Sequence, residues 1–268
     1  MTASEKRLSG KIALVTGASR GLGRAVSLAL AQEGAHVIIC GRTTGALEEL
    51  DDEIVKAGST ATILALDLRK GDKLDQLGPS LYQRWQHLDI FVANAAMLGP
   101  LSPLAHVSAD AWADVLETNL SSNWRLLRTL DPLLQKAEAG RVVFVTSRAA
   151  HGQNAYWGPY AVAKAGLEAL ASTYAAEVAS TPIRVAILDP GGIRTGMRSK
   201  AFPGEDPMTL PTPEDVAPLI VELALQSSQV NGAVVRYRDW VKGGGKLQAP
   251  AGTNAPANEN VREDGKEN

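Results

Sequence analysis

The sequence predicts a single α/β domain, a doubly wound parallel sheet of about seven strands with helices on both faces. Three observations carry this expectation. Short runs rich in valine, isoleucine and leucine alternate with longer amphipathic stretches; the 268 residues suit one such domain; and the first apolar run passes straight into a glycine-rich turn that opens a helix.

Taken in order, the strands are KIALVT from Lys11, AHVIIC from Ala35, TATILAL from Thr60, LDIFVAN from Leu88, RVVFVTS from Arg141 and IRVAIL from Ile183. Each is short, apolar throughout and rich in β-branched residues, as a strand covered on both faces should be. A seventh is expected at Ala233 to Tyr237, after a helix announced by TPEDV, with Thr212 or Pro213 as its opening signal. Between the strands, segments such as Gly23 to Glu33 and Gly71 to Gln86 are long enough for crossover helices and rich in Ala, Leu, Glu and Gln. The domain is expected to span 8–241. From Lys242 onward, KGGGKLQAPAGTNAPANENVREDGKEN has almost no large apolar side chains, so 242–268 reads as a flexible tail.

Composition excludes several functions. A net charge of -2 favours no nucleic acid. The single cysteine, Cys40, lies in a strand, so one chain can build neither a disulfide framework nor a cysteine metal site. His151 has no cysteine or histidine neighbours in sequence, and no metal is expected. No segment reaches the roughly 18 continuous apolar residues of a membrane span, and MTASEKRLSG is not a leader, so a cytoplasmic protein without a membrane partner is expected.

After the first strand comes TGASRGLG, Thr16 to Gly23. Gly17 permits the sharp exit from the strand, Gly21 lets backbone approach a pyrophosphate, and Gly23 allows the helix to pack closely; Ser19 and Leu22 lie in the same loop. With a strand before and a helix after, this is the Rossmann arrangement for a dinucleotide. NAD binding would call for an acid about 20 residues further on, yet none occurs between Glu33 and Glu48. Arg42 ends the second strand instead, and with Arg20 it could hold the 2′-phosphate of NADP. NADP(H) is therefore the preferred cofactor and NAD(H) the second choice, with two solvated surface arginines as the competing explanation. Asp67, with the Leu68 backbone beside it, could contact the adenine, and Asn94 could fasten neighbouring strand ends above the cofactor; a plain turn residue is the competing explanation for each.

Tyr160 and Lys164 lie four apart in the helix GPYAVAKAGLEAL, on one face. A positive charge at roughly 5 Å in an effective dielectric of about 20 is worth about 3 kcal/mol, or about two pKa units. That predicts a lowered phenol, able to act as general acid in reduction and general base in oxidation. A lysine snorkelling beside a half-buried tyrosine is the competing explanation. Ser147 ends its strand thirteen residues upstream, where its hydroxyl could hold a carbonyl oxygen. Asn119 is unusual inside the helix AWADVLETNLSSNWRLL, which suggests either a water-holding site or an exposed face.

TGASRGLG, ALDL at Asp67, ANAA at Asn94, ETNL at Asn119, Ser147, YAVAK at Tyr160 to Lys164 and DPGGIRT at Asp189 to Thr195 together resemble the ordered motifs of the short-chain dehydrogenases/reductases over about Leu8 to Tyr237. The resemblance implies an Asn-Ser-Tyr-Lys tetrad of Asn119, Ser147, Tyr160 and Lys164. It also implies Pro190, Gly191, Ile193 and Thr195 beside the nicotinamide, Lys164 on the ribose, and a water held by Asn119. It further implies a homodimer or homotetramer built through the helices of Asn119 and Tyr160. Two departures are Ala96, where the family usually has glycine, and the absence of the usual Asp-Gly-Gly ending after Tyr237.

Substrate choice is expected to rest on Met97, Leu98, Arg148, His151, Tyr156, Trp157 and a lid at 196–213. The expected activity is hydride transfer between NADP(H) and a small carbonyl or secondary alcohol. An epimerase on the same scaffold and a non-catalytic NADP sensor are the alternatives.

Overall fold

The computed structural model describes residues 6–152 and 154–247. Its elements run β1 (Ile12–Thr16), α1 (Gly21–Gln32), β2 (His36–Gly41), α2 (Thr44–Lys56), β3 (Thr60–Ala65), α3 (Gly71–Asp75), α4 (Leu77–Trp85), β4 (Ile90–Ala93), α5 (Ala109–Leu116), α6 (Ser122–Leu134), β5 (Arg141–Val145), α7 (Gly158–Glu177), β6 (Arg184–Asp189), α8 (Gly196–Ala201), α9 (Pro213–Ala224), β7 (Val234–Arg236) and α10 (Tyr237–Lys242). The strands form one parallel sheet of seven in the order β3-β2-β1-β4-β5-β6-β7. The order reverses between β1 and β4, and there the carboxyl ends of the strands open a crevice.

Both faces of the sheet are covered. Side chains alternate along each strand, so Val15 and Ile39 pack with α1, α2 and α9 while Leu14 and Phe144 pack with α4, α6 and α7. Leu14, Leu30, Ile39 and Phe91 are all fully buried, each worth ~1.5–3 kcal/mol relative to exposure.

Several boundaries differ from the sequence expectation. The stretch from Gly71 is two helices meeting at Gln76 rather than one. The seventh strand stops at Arg236, and Tyr237 instead begins α10. Leu247, beyond the expected domain limit, packs with Tyr237 and Trp240 against the core; the remainder of the expected tail, 248–268, lies outside the described residues. Cys40 is buried in β2, and burial pushes its thiol up to about 12, so it stays protonated.

Candidate active site

The glycine loop is shaped by contacts that only glycine allows. Gly17 and Gly21 both have positive φ, 68° and 55°. A Cβ on Gly23 would collide with the Gly17 carbonyl oxygen and the Asn94 amide, so helix α1 can sit this close only without one. Gly21 lies under Thr195, whose methyl would be 3.4 Å from an added Cβ. The two backbone segments thus face each other across the crevice. No side chain caps α1: Arg20 occupies the N-cap position in extended conformation and makes no capping bond. The N–H groups of the first turn are left for an anion.

Around that loop, Asn94 donates to the Thr16 carbonyl at 2.9 Å and fastens β4 to β1. Ser19 sits against Gly41, and Arg20 and Arg42 are exposed beside them. Leu68 is buried. Asp67 is gripped by Arg69, whose Nη2 lies 2.8 Å from one carboxylate oxygen and whose Nη1 reaches on to Asp114 at 3.1 Å. That pairing, with Arg42 nearby, holds the Asp67 carboxyl down at about 2. Arg69 stands two residues along in ALDLR, and its proximity was the available signal; the bond to Asp114 was not readable.

At the β5–β6 end, Ser147 follows the strand, accepts from the Ala149 amide at 3.2 Å and faces Tyr160. Tyr160 and Lys164 share the buried face of α7. The lysine Nζ donates to the Val145 carbonyl at 2.6 Å and lies 5.9 Å from the centre of the Tyr160 ring. The phenol is not lowered as the spacing suggested. Burial raises it above the ordinary tyrosine value, Ser147 opposes that shift, and Asp189 adds to it. Lys164 directs its ammonium at backbone rather than phenol, and burial lowers its own pKa to about 8.

Asn119 proves to be buried, in a wide π-helical turn, Glu117–Ser121, between α5 and α6. Its side chain forms a reciprocal pair with the Met97 backbone, accepting from N–H at 2.8 Å and donating to C=O at 2.9 Å. The turn that accommodates it is a common sign of a functional position. Pro190 and Gly191 leave β6 in a turn closed by Asp189, which accepts from the Gly191 amide at 2.9 Å. Ile193 is buried, and Thr195 caps α8 by accepting from the Arg198 amide at 3.3 Å.

Comparison with known proteins shows the family. A model of the short chain dehydrogenases matches residues 11–206. The chain belongs to the short-chain dehydrogenase family. Among its relatives, the oxidoreductase YciK of Escherichia coli K12 is 36% identical over 219 residues, 81% of this chain and 86% of its own length. The 3-oxoacyl-acyl-carrier-protein reductase FabG of Salmonella typhimurium is 35% identical over 188 residues, 70% of this chain and 75% of its own. A solved short chain dehydrogenase from Escherichia coli CFT073, complexed with NADPH, superposes with TM-score 0.84 at 34% identity, covering 88% of this chain and all of that one.

Sequence reasoning missed Glu168 in this short-chain dehydrogenase. It lies one turn beyond Lys164 and is buried; Thr146 donates to one carboxylate oxygen at 2.6 Å, and His151 Nε2 lies 2.7 Å from the other. The four-residue spacing from Lys164 was the only signal. Among the described residues no cluster suits a metal ion, and no helix is long and apolar enough to cross a membrane. The segment after β6 lines an open pocket of about 230 Å³, with Thr195, Arg198, Phe202 and Leu210 among its walls.

Proposed function

We propose that this enzyme transfers hydride between NADP(H) and a carbonyl or secondary alcohol, with Tyr160 as the proton-exchanging group. The observation that carries this reading is the convergence of Ser147, Tyr160 and buried Lys164 at the carboxyl end of β5, in the sheet whose β1 leads into the glycine loop. The nicotinamide, when bound, supplies or accepts the hydride. Ser147 holds the substrate oxygen and Tyr160 delivers its proton to that oxygen in reduction. A raised phenol favours the protonated form that reduction needs. Lys164 binds the nicotinamide ribose, and Asn119, by fixing Met97, shapes the wall opposite and supports the water that returns a proton to Lys164.

The residues fit the cofactor. Gly17, Ser19, Gly21, Leu22 and Gly23 receive the pyrophosphate at the open end of α1, Arg20 and Arg42 the 2′-phosphate, and Asp67 and Leu68 the adenine. Asn94, Pro190, Gly191, Ile193 and Thr195 flank the nicotinamide. The absence of an acid at the end of β2 and the relative solved with NADPH both favour NADP(H) over NAD(H). Self-association as a homodimer or homotetramer would run through the long helices α6 and α7, next to Asn119 and carrying Tyr160. Residues 196–213 serve as the lid.

The decisive experiment is Tyr160→Phe. It should lower kcat for NADPH-dependent carbonyl reduction by about 10²–10⁴-fold while NADPH still binds; intact turnover would refute the assignment. Arg42→Asp should raise KM for NADPH far more than for NADH, and equal changes would remove the NADP preference. Net consumption of NADPH excludes an epimerase.

A further inference from the structure

The substrate side of the crevice has a chemical character of its own. From the Tyr160 ring, Trp157 stands edge-on at 5.8 Å and 70°, and Phe202 of the lid lies 5.7 Å beyond Trp157 at 37°. An aromatic wall therefore runs from the proton donor to the lid. The Arg198 guanidinium stacks on Phe202 at 3.8 Å, and both its Nε and Nη2 bond Glu205 at 2.6 Å. A bidentate pair of this kind leaves little net charge for an anion. Arg194 keeps its charge but directs two of its donors into the lid, Nε to the Pro207 carbonyl at 2.8 Å and Nη2 to the Leu210 carbonyl at 3.3 Å.

The rim is apolar too. Of the ten large apolar side chains exposed among the described residues, five occur on the three segments around this wall: Leu101, Leu104, Tyr156, Phe202 and Met208. Such concentration marks a binding surface, whereas single exposed apolar residues mark nothing. The segments are joined: the Ser102 amide donates to the Tyr156 carbonyl at 3.1 Å, and Leu104 lies so close to Gly158 that a Cβ there would strike it. Tyr156 adds a conformational argument. It holds a left-handed backbone, φ 75°, a strained state for a non-glycine residue, while the residue is 59% exposed. The strain is not repaid by burial of the ring.

We propose that the site accepts an uncharged, apolar carbonyl compound carrying an aromatic ring or a similarly broad hydrocarbon face, bound against Trp157 and Phe202. This rests on the carbonyl-reductase reading above. The reaction would be reduction of the C=O carbon by hydride from NADPH and protonation of its oxygen by Tyr160, giving the secondary alcohol and NADP⁺.

Three probes test it with NADPH present: 1-tetralone, an uncharged bicyclic aryl ketone; butanone, uncharged and small; and acetoacetyl-coenzyme A, an anionic thioester. The expected kcat/KM for 1-tetralone exceeds that for butanone by at least about 30-fold, given the extra apolar area buried, and exceeds that for acetoacetyl-coenzyme A. Phe202→Ala should reduce the tetralone-to-butanone ratio about tenfold and Phe202→Leu by less, so the contrast survives if the alanine variant folds poorly. A preference for acetoacetyl-coenzyme A, or a ratio unmoved by both substitutions, overturns the proposal. Saturation-transfer NMR on the tetralone ring protons, with NADP⁺ bound, separates the two readings. Transfer that weakens in Phe202→Ala, without turnover of any probe, supports the apolar site and refutes the reductase. No transfer and no turnover refutes both.

Discussion

The N-termini of α1 and α9 are built in opposite ways. At α9 the donors are closed off: Thr212 accepts from the Asp215 amide at 3.2 Å, Asp215 accepts from the Thr212 amide at 2.7 Å, and Pro213 follows the cap. At α1 an arginine stands at the cap, its side chain makes no bond to the turn, and it is preceded and followed by glycines with positive φ. Helix α2 also lacks a side-chain cap, but neither glycine flanking its end, Gly41 or Gly45, has positive φ. An unmet set of donors is therefore informative only where backbone has also been cleared for a ligand. Capping stabilises the fold at α9; its omission at α1 leaves the first-turn donors without a side-chain partner.

The largest test of that contrast is Gly23→Ala. The added Cβ would meet the Gly17 carbonyl oxygen and the Asn94 amide, both part of rigid structure. Either α1 or the glycine loop must move. We expect a loss of about 1–3 kcal/mol of stability and a rise in the Kd for NADPH of at least about 100-fold, read by thermal melting and by fluorescence titration. Retention of wild-type NADPH affinity would show that the close approach of α1 is irrelevant to binding.

A second substitution would make α1 resemble α9. Arg20→Asp places a carboxylate at the vacant cap position, where it can accept from the first-turn amides and complement the helix dipole. Stability should rise by about 0.5–1 kcal/mol. NADPH affinity should fall by about 10-fold or more, because the new anion occupies the donors and the cation is gone. The opposite movement of melting temperature and affinity is the signature. If both fall together, α1 is not held open for an anion.

The pH dependence of NADPH affinity reports on the lysine. Burial lowers Lys164 to about 8 while Glu168 works against that shift. Above about pH 8 the side chain loses its proton, and with it the charge that the proposed ribose contact would use, so affinity should decline there about two- to fivefold. Glu168→Gln removes the opposing group and should move the decline to lower pH. A purely structural role for Glu168 would weaken binding equally at every pH.

How much of this was legible in the sequence depends on the distance between the partners. The strands follow from their apolar runs, the glycine loop from a backbone requirement within eight residues, and the α9 cap from Thr212 and Pro213 standing together. Asn119 was noticed because Asn is disfavoured inside a helix, but its partner is the backbone of Met97, in a loop that sequence spacing does not bring near. The Glu168–His151 bridge and the Trp157–Phe202 contact likewise form only when α7 packs against loops from elsewhere in the chain. The Tyr160 shift went astray for a related reason. Spacing placed the lysine charge near the phenol, but burial of the ring and the pull of the Val145 carbonyl are properties of the packed site.

The smallest expected effect tests the closed end of the comparison. Thr212→Ala removes the hydroxyl that accepts from Asp215, and with it half of the capping box. The loss should be about 1 kcal/mol, a melting shift of about 2–4 °C for a domain of this size. Yet α9 packs against α1 on the sheet face that carries Val15 and Ile39. Its first turn also adjoins Pro211, whose carbonyl accepts from the Arg194 amide at 2.8 Å. If the cap serves only α9, the Kd for NADPH remains within about twofold of wild type while the melting temperature falls. A larger rise in Kd would mean that the closed end helps place Arg194 and Thr195 over the glycine loop. The two helix ends would then be parts of one device rather than opposites.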